Sequence, residues 1–433
     1  DPVGADPDTL RAVQAVVPCI AVPRLGRRAG TIAARAYDHP AEQLTLVGVT
    51  GTDGKSSVVN LWAQLMRLNG HVVASLGTLG LDRDGQHQPG RHTTPDPVQL
   101  QAQLAAARDA GCTALAMEVS SHAIAQGRVD SLAFAHVALT TLGRDHLDYH
   151  ASVAEYHATK RRLLAWPGAQ TVHINGDMPL VRRAWEQVRQ EKADRPPYTA
   201  RIYGGALDAR WHLRAVVPQP QGLRLSVTVD DHEWQGNVPL YGEFNASNLL
   251  AAASLAEACG ADIAGLLSSM ARVRTVPGRM ETVRVDGAPL ALVDYAHTPE
   301  ALDAALRAVR AHRPQSLICV FGCGGERDRG KRPLMAAAAE RHADTVFVTD
   351  DNPRHEDPEQ IFGDIRAGFR QPRQVRAIHD RAEAITQAVA MAGERDIVLV
   401  AGKGHEQTQQ LGDDMRAFSD VDQLRRTLRE VQA

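Results

Sequence analysis

Cysteine is scarce and badly placed for cross-linking: five in 433 residues, an odd number, at Cys19, Cys112, Cys259, Cys319 and Cys323. They form no CxxC pair and have no histidines at metal-finger spacing, which argues against a disulfide framework and a zinc site. Cys319, inside the apolar run LICVFG, reads as a core residue. The chain also lacks any apolar run near the roughly 20 residues needed to span a bilayer, and no signal-peptide pattern opens it. These absences predict a cytoplasmic protein with no membrane partner. Net charge is only −3, so the sequence carries no basic footprint for nucleic acid, and pairs such as Arg161-Arg162 and Arg425-Arg426 read as solvated helix faces. Internal repeats and low-complexity tracts are missing too.

What is present is an ordinary globular composition, 44% hydrophobic, in a chain long enough for two or three domains. From 44 to about 176, apolar strand-like runs (LTLVGV, HVVASLG, TALAMEV, FAHVALTTL, TVHING) alternate with helical periods, the rhythm of a parallel sheet covered by helices. Residues 211–239 alternate with period two and predict a small antiparallel insert, followed by a helix over 245–258. The α/β rhythm restarts near Pro277-Gly278 and runs to a final amphipathic helix. The expected division is a central parallel-sheet domain over 44–280 and a Rossmann-like α/β domain over 281–433. The first 43 residues offer a strand candidate, CIAVP, and a helix over about 25–37, too little for a core of their own, and read as the remnant of an N-terminal domain.

Between the first strand and its helix stands TGTDGKSS. Gly51 and Gly54 can adopt backbone angles closed to other residues, Lys55 can reach β and γ phosphates, and the Ser56 hydroxyl can hold Mg²⁺. The string departs from G-x-x-x-x-G-K-[ST], because the position five before Gly54 is Val49. A Gly-rich turn with a surface lysine is the alternative, which the strand-to-helix setting disfavours.

Glu118 ends the run TALAMEV, at the carboxyl edge of the sheet where open α/β folds bind ligands, and a carboxylate there can hold Mg²⁺. It can equally be a solvated or capping residue. Asp145, His146, Asp148 and His150 cluster in the next loop, which suits a metal, a base or a capped turn. Lys160, beside Arg161 and Arg162, reads from spacing alone as part of a solvated basic face. In the last domain the loops GCGGERDRGKRP (322–333), TDDNPR (349–354) and AGKGHE (401–406) follow apolar strands and should line one pocket. Arg327, Arg329, Lys331 and Arg332 make the first loop anion-friendly; arginines for a carboxylate and Glu406 for an ammonium suit a zwitterionic amino acid.

TGTDGKSS, HTTPDP, MEVSSHAIAQGRVD, RDHLDYH, ATKRRLL, GEFNASNLLAA, PGRME, DYAHTPEAL, FGCGGERDRGKRPLM, DDNPR and AGKGHE together resemble the Mur ligases over about residues 20–410, within them the branch that adds the third residue of the peptidoglycan stem. The resemblance implies an ATP-dependent amide ligase that joins meso-diaminopimelate to the D-Glu of UDP-N-acetylmuramoyl-L-Ala-D-Glu through an acyl phosphate. It implies ATP and Mg²⁺, and a monomer. Lys55, Glu118, His146 and Lys160 match catalytic positions, with Ser56, Glu118, His146 and Lys160, carrying a CO₂-derived carbamate, as metal ligands. Gly51, Thr52, Asp53, Gly54, Lys55, Ser56, Ser57, Asn245, Arg279, Asp294 and His297 match ATP contacts. Thr93, Thr94, Ser120, Gln126 and Arg128 match contacts to the UDP-muramoyl-dipeptide. The amino-acid site maps to Arg327, Asp351, Asn352, Pro353, Arg354, Gly402 and Glu406, with Arg354 set against the distal carboxylate that lysine lacks.

Four positions depart from the family's habit: Asp53 and Thr141 replace asparagine, Ser57 replaces threonine, and His92 replaces the asparagine before two threonines. The family's N-terminal uridine-binding domain is expected to be represented only by its last helix. Two other readings remain: a folylpolyglutamate-synthase-like ligase, which HTTPDP and DDNPR oppose, and a catalytically dead nucleotide-binding scaffold.

Overall fold

The computed structural model describes residues 7–18, 22–90, 92–191, 199–371, 373 and 375–431. The strand candidate CIAVP falls largely on residues outside this set. Two compact units emerge: residues 1–212, 228–232 and 247–269 form one, and 213–227, 233–246 and 270–433 the other.

The first unit is organised by parallel strands whose side chains are buried on both faces, as their continuous apolar runs require. β1 (Thr45–Thr50) lies between β5 (Ala114–Glu118) and β6 (His136–Leu139), and both pairings are parallel. β2 (Val73–Gly77) flanks β5, and a hairpin of β3 (Gly80–Arg83) and β4 (Gln86–Gln88) closes that edge. On the other side come β7 (Thr171–Asn175) and β8 (Thr199–Gly204), both parallel. The hairpin and β8 escape the sequence reading because they are short and only partly apolar.

β9 (Trp211–Gln219), β10 (Gly222–Val229) and β11 (His232–Val238) follow one another in sheet order, joined by connections too short for anything but antiparallel pairing. The expected antiparallel segment is therefore present, but β9 also pairs in parallel with β8 at Tyr203↔Trp211, so it continues the sheet. The helix Lys55–Leu68 buries Val58, Leu61, Trp62 and Leu65 completely, which fixes the direction in which it leaves β1. The helix Leu25–Ala36 matches expectation. The helix Pro7–Gln14 before it was not anticipated.

A buried polar chain crosses this core: His136 Nδ1 to the Thr171 hydroxyl at 2.8 Å, that hydroxyl to His173 Nε2 at 2.9 Å, and His173 Nδ1 to the Ser254 hydroxyl at 2.8 Å. Burial, aided by Arg201, pushes the His136 imidazole down to about 4 and His173 well below the ordinary value. Both rings are therefore neutral when folded. Above about pH 6.5 they are neutral unfolded as well and contribute no pH dependence; below it the unfolded chain binds protons that the folded chain refuses. We expect stability to fall as pH drops from about 6.5 to about 4, by up to about 1.4 kcal/mol per pH unit for each imidazole. His136→Gln should flatten that slope in denaturant titrations; a variant slope as steep as the parent's would refute the assignment.

The second unit is a three-layer sandwich. Its sheet runs β12-β13-β17-β14-β15-β16, with β12 at Glu281–Val283, β13 at Leu290–Asp294, β14 at Leu317–Phe321, β15 at Thr345–Val348, β16 at Arg376–Ala377 and β17 at Ile397–Ala401. Only the β12–β13 pairing is antiparallel. Alternation divides the core: Leu290 and Leu292 pack with the helices Pro299–Ala311 and Lys331–His342 on one face, Ala291 and Val293 with Arg381–Met391 and Asp420–Glu430 on the other. A hairpin, β18 (Thr408–Leu411) with β19 (Asp414–Ala417), follows the last parallel strand.

Candidate functional site

The phosphate loop connects β1 to the helix Lys55–Leu68, so three amides at that helix's start have no intrahelical partner. Gly54 stands at the N-cap with φ 84, where an added Cβ would lie 2.6 Å from Asn248 Oδ1, so both conformation and space require glycine. Lys55 Nζ folds back on the Gly51 and Thr52 carbonyls at 2.9 and 2.8 Å. Ser56 and Ser57 are buried, and Asp53 is exposed.

The loop's shape is fixed from the end of β6. Thr52 N donates to the Thr141 carbonyl at 3.0 Å, Asp53 N to the Thr141 hydroxyl at 2.8 Å, and the Thr140 hydroxyl to the Asp53 carbonyl at 2.5 Å. Thr141, noted only as a departure, thus holds the peptide of another departure, Asp53. The Asp53 carboxylate stays at the surface.

Lys160 overturns the solvated-face expectation. The helix Val153–Leu164 turns Tyr156, Lys160 and Leu163 to one side by their i, i+4, i+7 spacing, and Lys160 is only 1% exposed. Arg162 remains exposed on the opposite side. The Lys160 ammonium donates to the Gly51 carbonyl at 2.7 Å and lies 4.7 Å from the Tyr156 ring centre. Burial, then the neighbouring Lys55 charge, holds it well below the ordinary lysine range. Tyr156, which sequence reading missed, also donates its hydroxyl to Thr52. Its place one helical turn before Lys160 was the available signal.

Glu118 is 2% exposed at the end of β5, and its carboxylate accepts from Thr78 N at 2.7 Å and the Thr78 hydroxyl at 3.3 Å. A solvated Glu118 is excluded. Each oxygen accepts one bond and keeps a lone pair for a cation, so the donor set fits Mg²⁺. Thr94 donates to the Glu118 carbonyl and accepts from Ser120 N; Thr93 meets Thr78 at 3.0 Å. Arg128 donates to the Thr94 carbonyl and to Gln126. The residues matched to the UDP-linked substrate therefore adjoin the Glu118 strand end.

His146, at φ 53, lies edge-on to the His122 ring with centres 4.7 Å apart. Burial lowers its imidazole; Asp145 opposes that, and the Lys55 and Lys160 charges add to it. A neutral imidazole suits a ligand role. Asp145 accepts from His146 N, while His150 is buried and its Nε2 makes no hydrogen bond. Among the described residues no three His, Cys, Asp or Glu side chains group to hold a metal.

In the second unit, Asp294 at the end of β13 accepts from Met280 N, His297 Nδ1 meets the Tyr295 carbonyl, and Arg279 stacks on the Tyr295 ring at 4.7 Å. Asn245 is buried and donates to the Tyr241 carbonyl. The three loops expected to converge do so, because β17, β14 and β15 are neighbours. A Cβ at Gly402, φ 114, would lie 2.7 Å from Asp351 Oδ2; Asn352 donates to Glu406 at 2.9 Å; Arg354 donates to the Gly325 carbonyl at 2.7 Å.

The anion-friendly reading of the first loop needs correction. Arg332 is fully buried, bonded to Glu356 and Asp364, and Arg329 pairs with Asp364, so these two are committed to holding the loop. Arg327 is exposed. Two further contributors were missed. Lys403 is fully buried against Asn352 and Glu406, and the β18–β19 hairpin clamps residues 350–354 through Gln409, Gln410 and Gly412. Lys403 lay in plain sight inside AGKGHE. The hairpin's clamping bonds combine main-chain groups of Gln410 and Gly412 with the Gln409 side chain, on a strand too short and polar to stand out in the sequence.

A strand-end phosphate loop beside a buried lysine, with a separate α/β unit carrying an amino-acid-like pocket, defines a class of ATP-using ligases. Residues 49–256 match the Mur ligase middle domain and 278–404 the Mur ligase, glutamate ligase domain. The chain belongs to the Mur ligase family. It is 47% identical over 429 residues, 99% of its length and 85% of the relative's, to UDP-N-acetylmuramoyl-L-alanyl-D-glutamate–2,6-diaminopimelate ligase of Alkalilimnicola ehrlichii. The protein of the same name from Pseudomonas aeruginosa is 44% identical, covering 95% of this chain and 83% of its own. A solved structure with that name superposes with a TM-score of 0.70 at 34% identity, covering 96% of this chain and 84% of that one. A Mycobacterium tuberculosis folylpolyglutamate synthase reaches 0.69 at 19% identity over 91% and 96%, a likeness of fold alone.

Proposed function

We propose that this chain uses ATP to join meso-diaminopimelate to the D-Glu carboxylate of UDP-N-acetylmuramoyl-L-Ala-D-Glu. The supporting observation is the pair of opposite poles on neighbouring loops of one sheet edge, the Arg354 guanidinium and the Glu406 carboxylate with Asn352, a complement to a zwitterion. ATP with Mg²⁺ supplies the phosphoryl group that activates the substrate carboxylate as an acyl phosphate. Lys55 and the positive N-terminal end of its helix neutralise phosphate charge, and Ser56, Glu118 and His146 supply metal ligands. Thr93, Thr94, Ser120, Gln126 and Arg128 bind the UDP-linked substrate beside Glu118. Asn245, Arg279, Asp294 and His297 complete the ATP contacts. The departures at Asp53 and Thr141 retain a hydrogen-bonded loop, which favours an active enzyme over a dead scaffold.

Lys160 acts as a carbamate in this reading. Its environment favours the neutral amine, which adds CO₂ and releases a proton, placing an anion beside the Lys55 cation. The three-domain division at 43/44 and 280/281 and a monomeric state belong to the same proposal. A cytoplasmic site of action belongs to it as well; no helix among the described residues is long and apolar enough to cross a membrane.

Phosphate release is expected only when ATP, Mg²⁺, UDP-N-acetylmuramoyl-L-Ala-D-Glu and meso-diaminopimelate are all supplied. Equal or faster turnover with L-lysine would defeat the amino-acid assignment, and glutamylation of a folate would defeat the reaction.

A further inference from the structure

Asparagine and glutamate in a ligand pocket are ambiguous partners: the amide can rotate to exchange donor and acceptor, and the carboxylate can swing to either of two oxygens. In the second unit one side chain acts on both, alongside a backbone amide that shares the asparagine oxygen. Lys403, between Gly402 and Gly404, is fully buried, and its Nζ donates to Asn352 Oδ1 at 3.1 Å and to Glu406 Oε2 at 2.9 Å. Asn352 Oδ1 also accepts from Gln410 N at 3.0 Å, and its Nδ2 donates to the same Glu406 oxygen at 2.9 Å. With two donors fixed on Oδ1, the amide has one orientation. Lys403 and Asn352 both bond Glu406 Oε2, and neither takes Oε1.

Charge follows the same logic. A buried ammonium has to be paired, and here it is paired with the carboxylate assigned to the ligand's ammonium. Glu406 and Lys403 pair at 2.9 Å, so the one carboxylate of the loop 401–406 is balanced by the loop's own lysine. Asp351, 9% exposed and close to Gly402, supplies the pocket's other carboxylate.

We propose that Lys403 is a positioning residue for the amino-acid substrate: it locks the Asn352 amide and one Glu406 oxygen, and so sets which donors and acceptors meet the incoming diamino acid. The inference rests on the amino-acid site described under the proposed function. Wild-type turnover with meso-diaminopimelate is therefore measured first, and its absence would sink that function rather than this role.

The test uses full-length Lys403→Met and Lys403→Gln, with KM read separately for meso-diaminopimelate, ATP and the UDP-linked substrate. Lys403→Met removes both bonds, and the KM for the diamino acid should rise about 20-fold while the other two stay within about twofold. Lys403→Gln keeps donors but loses the charge, so a smaller, equally selective rise of about 5-fold is expected. If the methionine variant does not fold, the glutamine variant carries the test alone. A wild-type KM for the diamino acid in a folded variant would overturn the proposal, as would a rise shared by all three substrates.

Discussion

Replacing Lys160 by alanine should lower kcat by about two to three orders of magnitude while leaving the protein folded, the scale at which a preorganised charged group contributes to a transition state. The expectation rests on position. An ammonium that is 1% exposed, bonded to the Gly51 carbonyl and beside the Lys55 charge is costly to keep as a cation. Conversion to a carbamate would turn like-charge repulsion into attraction and place an anionic oxygen where the loop can share it with Mg²⁺. Acetate or formate, diffusing into the space left by alanine, should restore part of the rate. Removal of dissolved CO₂ should slow the parent enzyme and not the variant. Activity within about threefold of wild type after Lys160→Ala would eliminate the role, since charge stabilisation of this kind is never so cheaply lost.

The second large effect concerns Arg354. Its backbone is held at φ 54 by Arg354 N to the Gln410 carbonyl and Gly412 N to the Arg354 carbonyl, and its Nη1 is tied to the Gly325 carbonyl. Those bonds leave the Nη2 and Nε edge of the fork for a carboxylate. Arg354→Ala should reduce kcat/KM for meso-diaminopimelate about 100-fold or more, the loss of a charge-assisted bidentate contact, while residual turnover of L-lysine changes little. Arg354→Lys should recover only part of the loss, because an ammonium cannot reproduce the fork. Parallel kinetics with the two amino acids decide it; an equal fall for both would show that Arg354 supports the loop instead of reading the substrate.

Much of this architecture was legible beforehand because it depends on repeated patterns. Buried parallel strands such as Ala114–Glu118 and Ile397–Ala401 are unbroken apolar runs, and their ends locate Glu118 and the loop 401–406 without any coordinates. What escaped detection depends on single contacts. The spacing of Lys160 is compatible with a solvated face, and only its packing against Tyr156 and Gly51 decides otherwise. Arg332 looked like an anion binder because the sequence does not reveal that Glu356 and Asp364, 24 and 32 residues on, are its partners. The strands Gly80–Arg83 and Thr408–Leu411 are too short and polar for periodicity to register.

Apart from the Gln409 side chain, the hairpin β18–β19 holds residues 350–354 through main-chain groups of Gln410 and Gly412, and a main-chain bond is indifferent to the side chain attached to it. Its exposed positions, Asp413, Asp414 and Met415 among them, can therefore drift or be redesigned without disturbing the reader loop. That makes the hairpin a natural place to attach a label, a linker or a randomised segment beside the amino-acid pocket. Substrate preference could then be evolved from the rim inward, with the residues that grip the ligand left untouched.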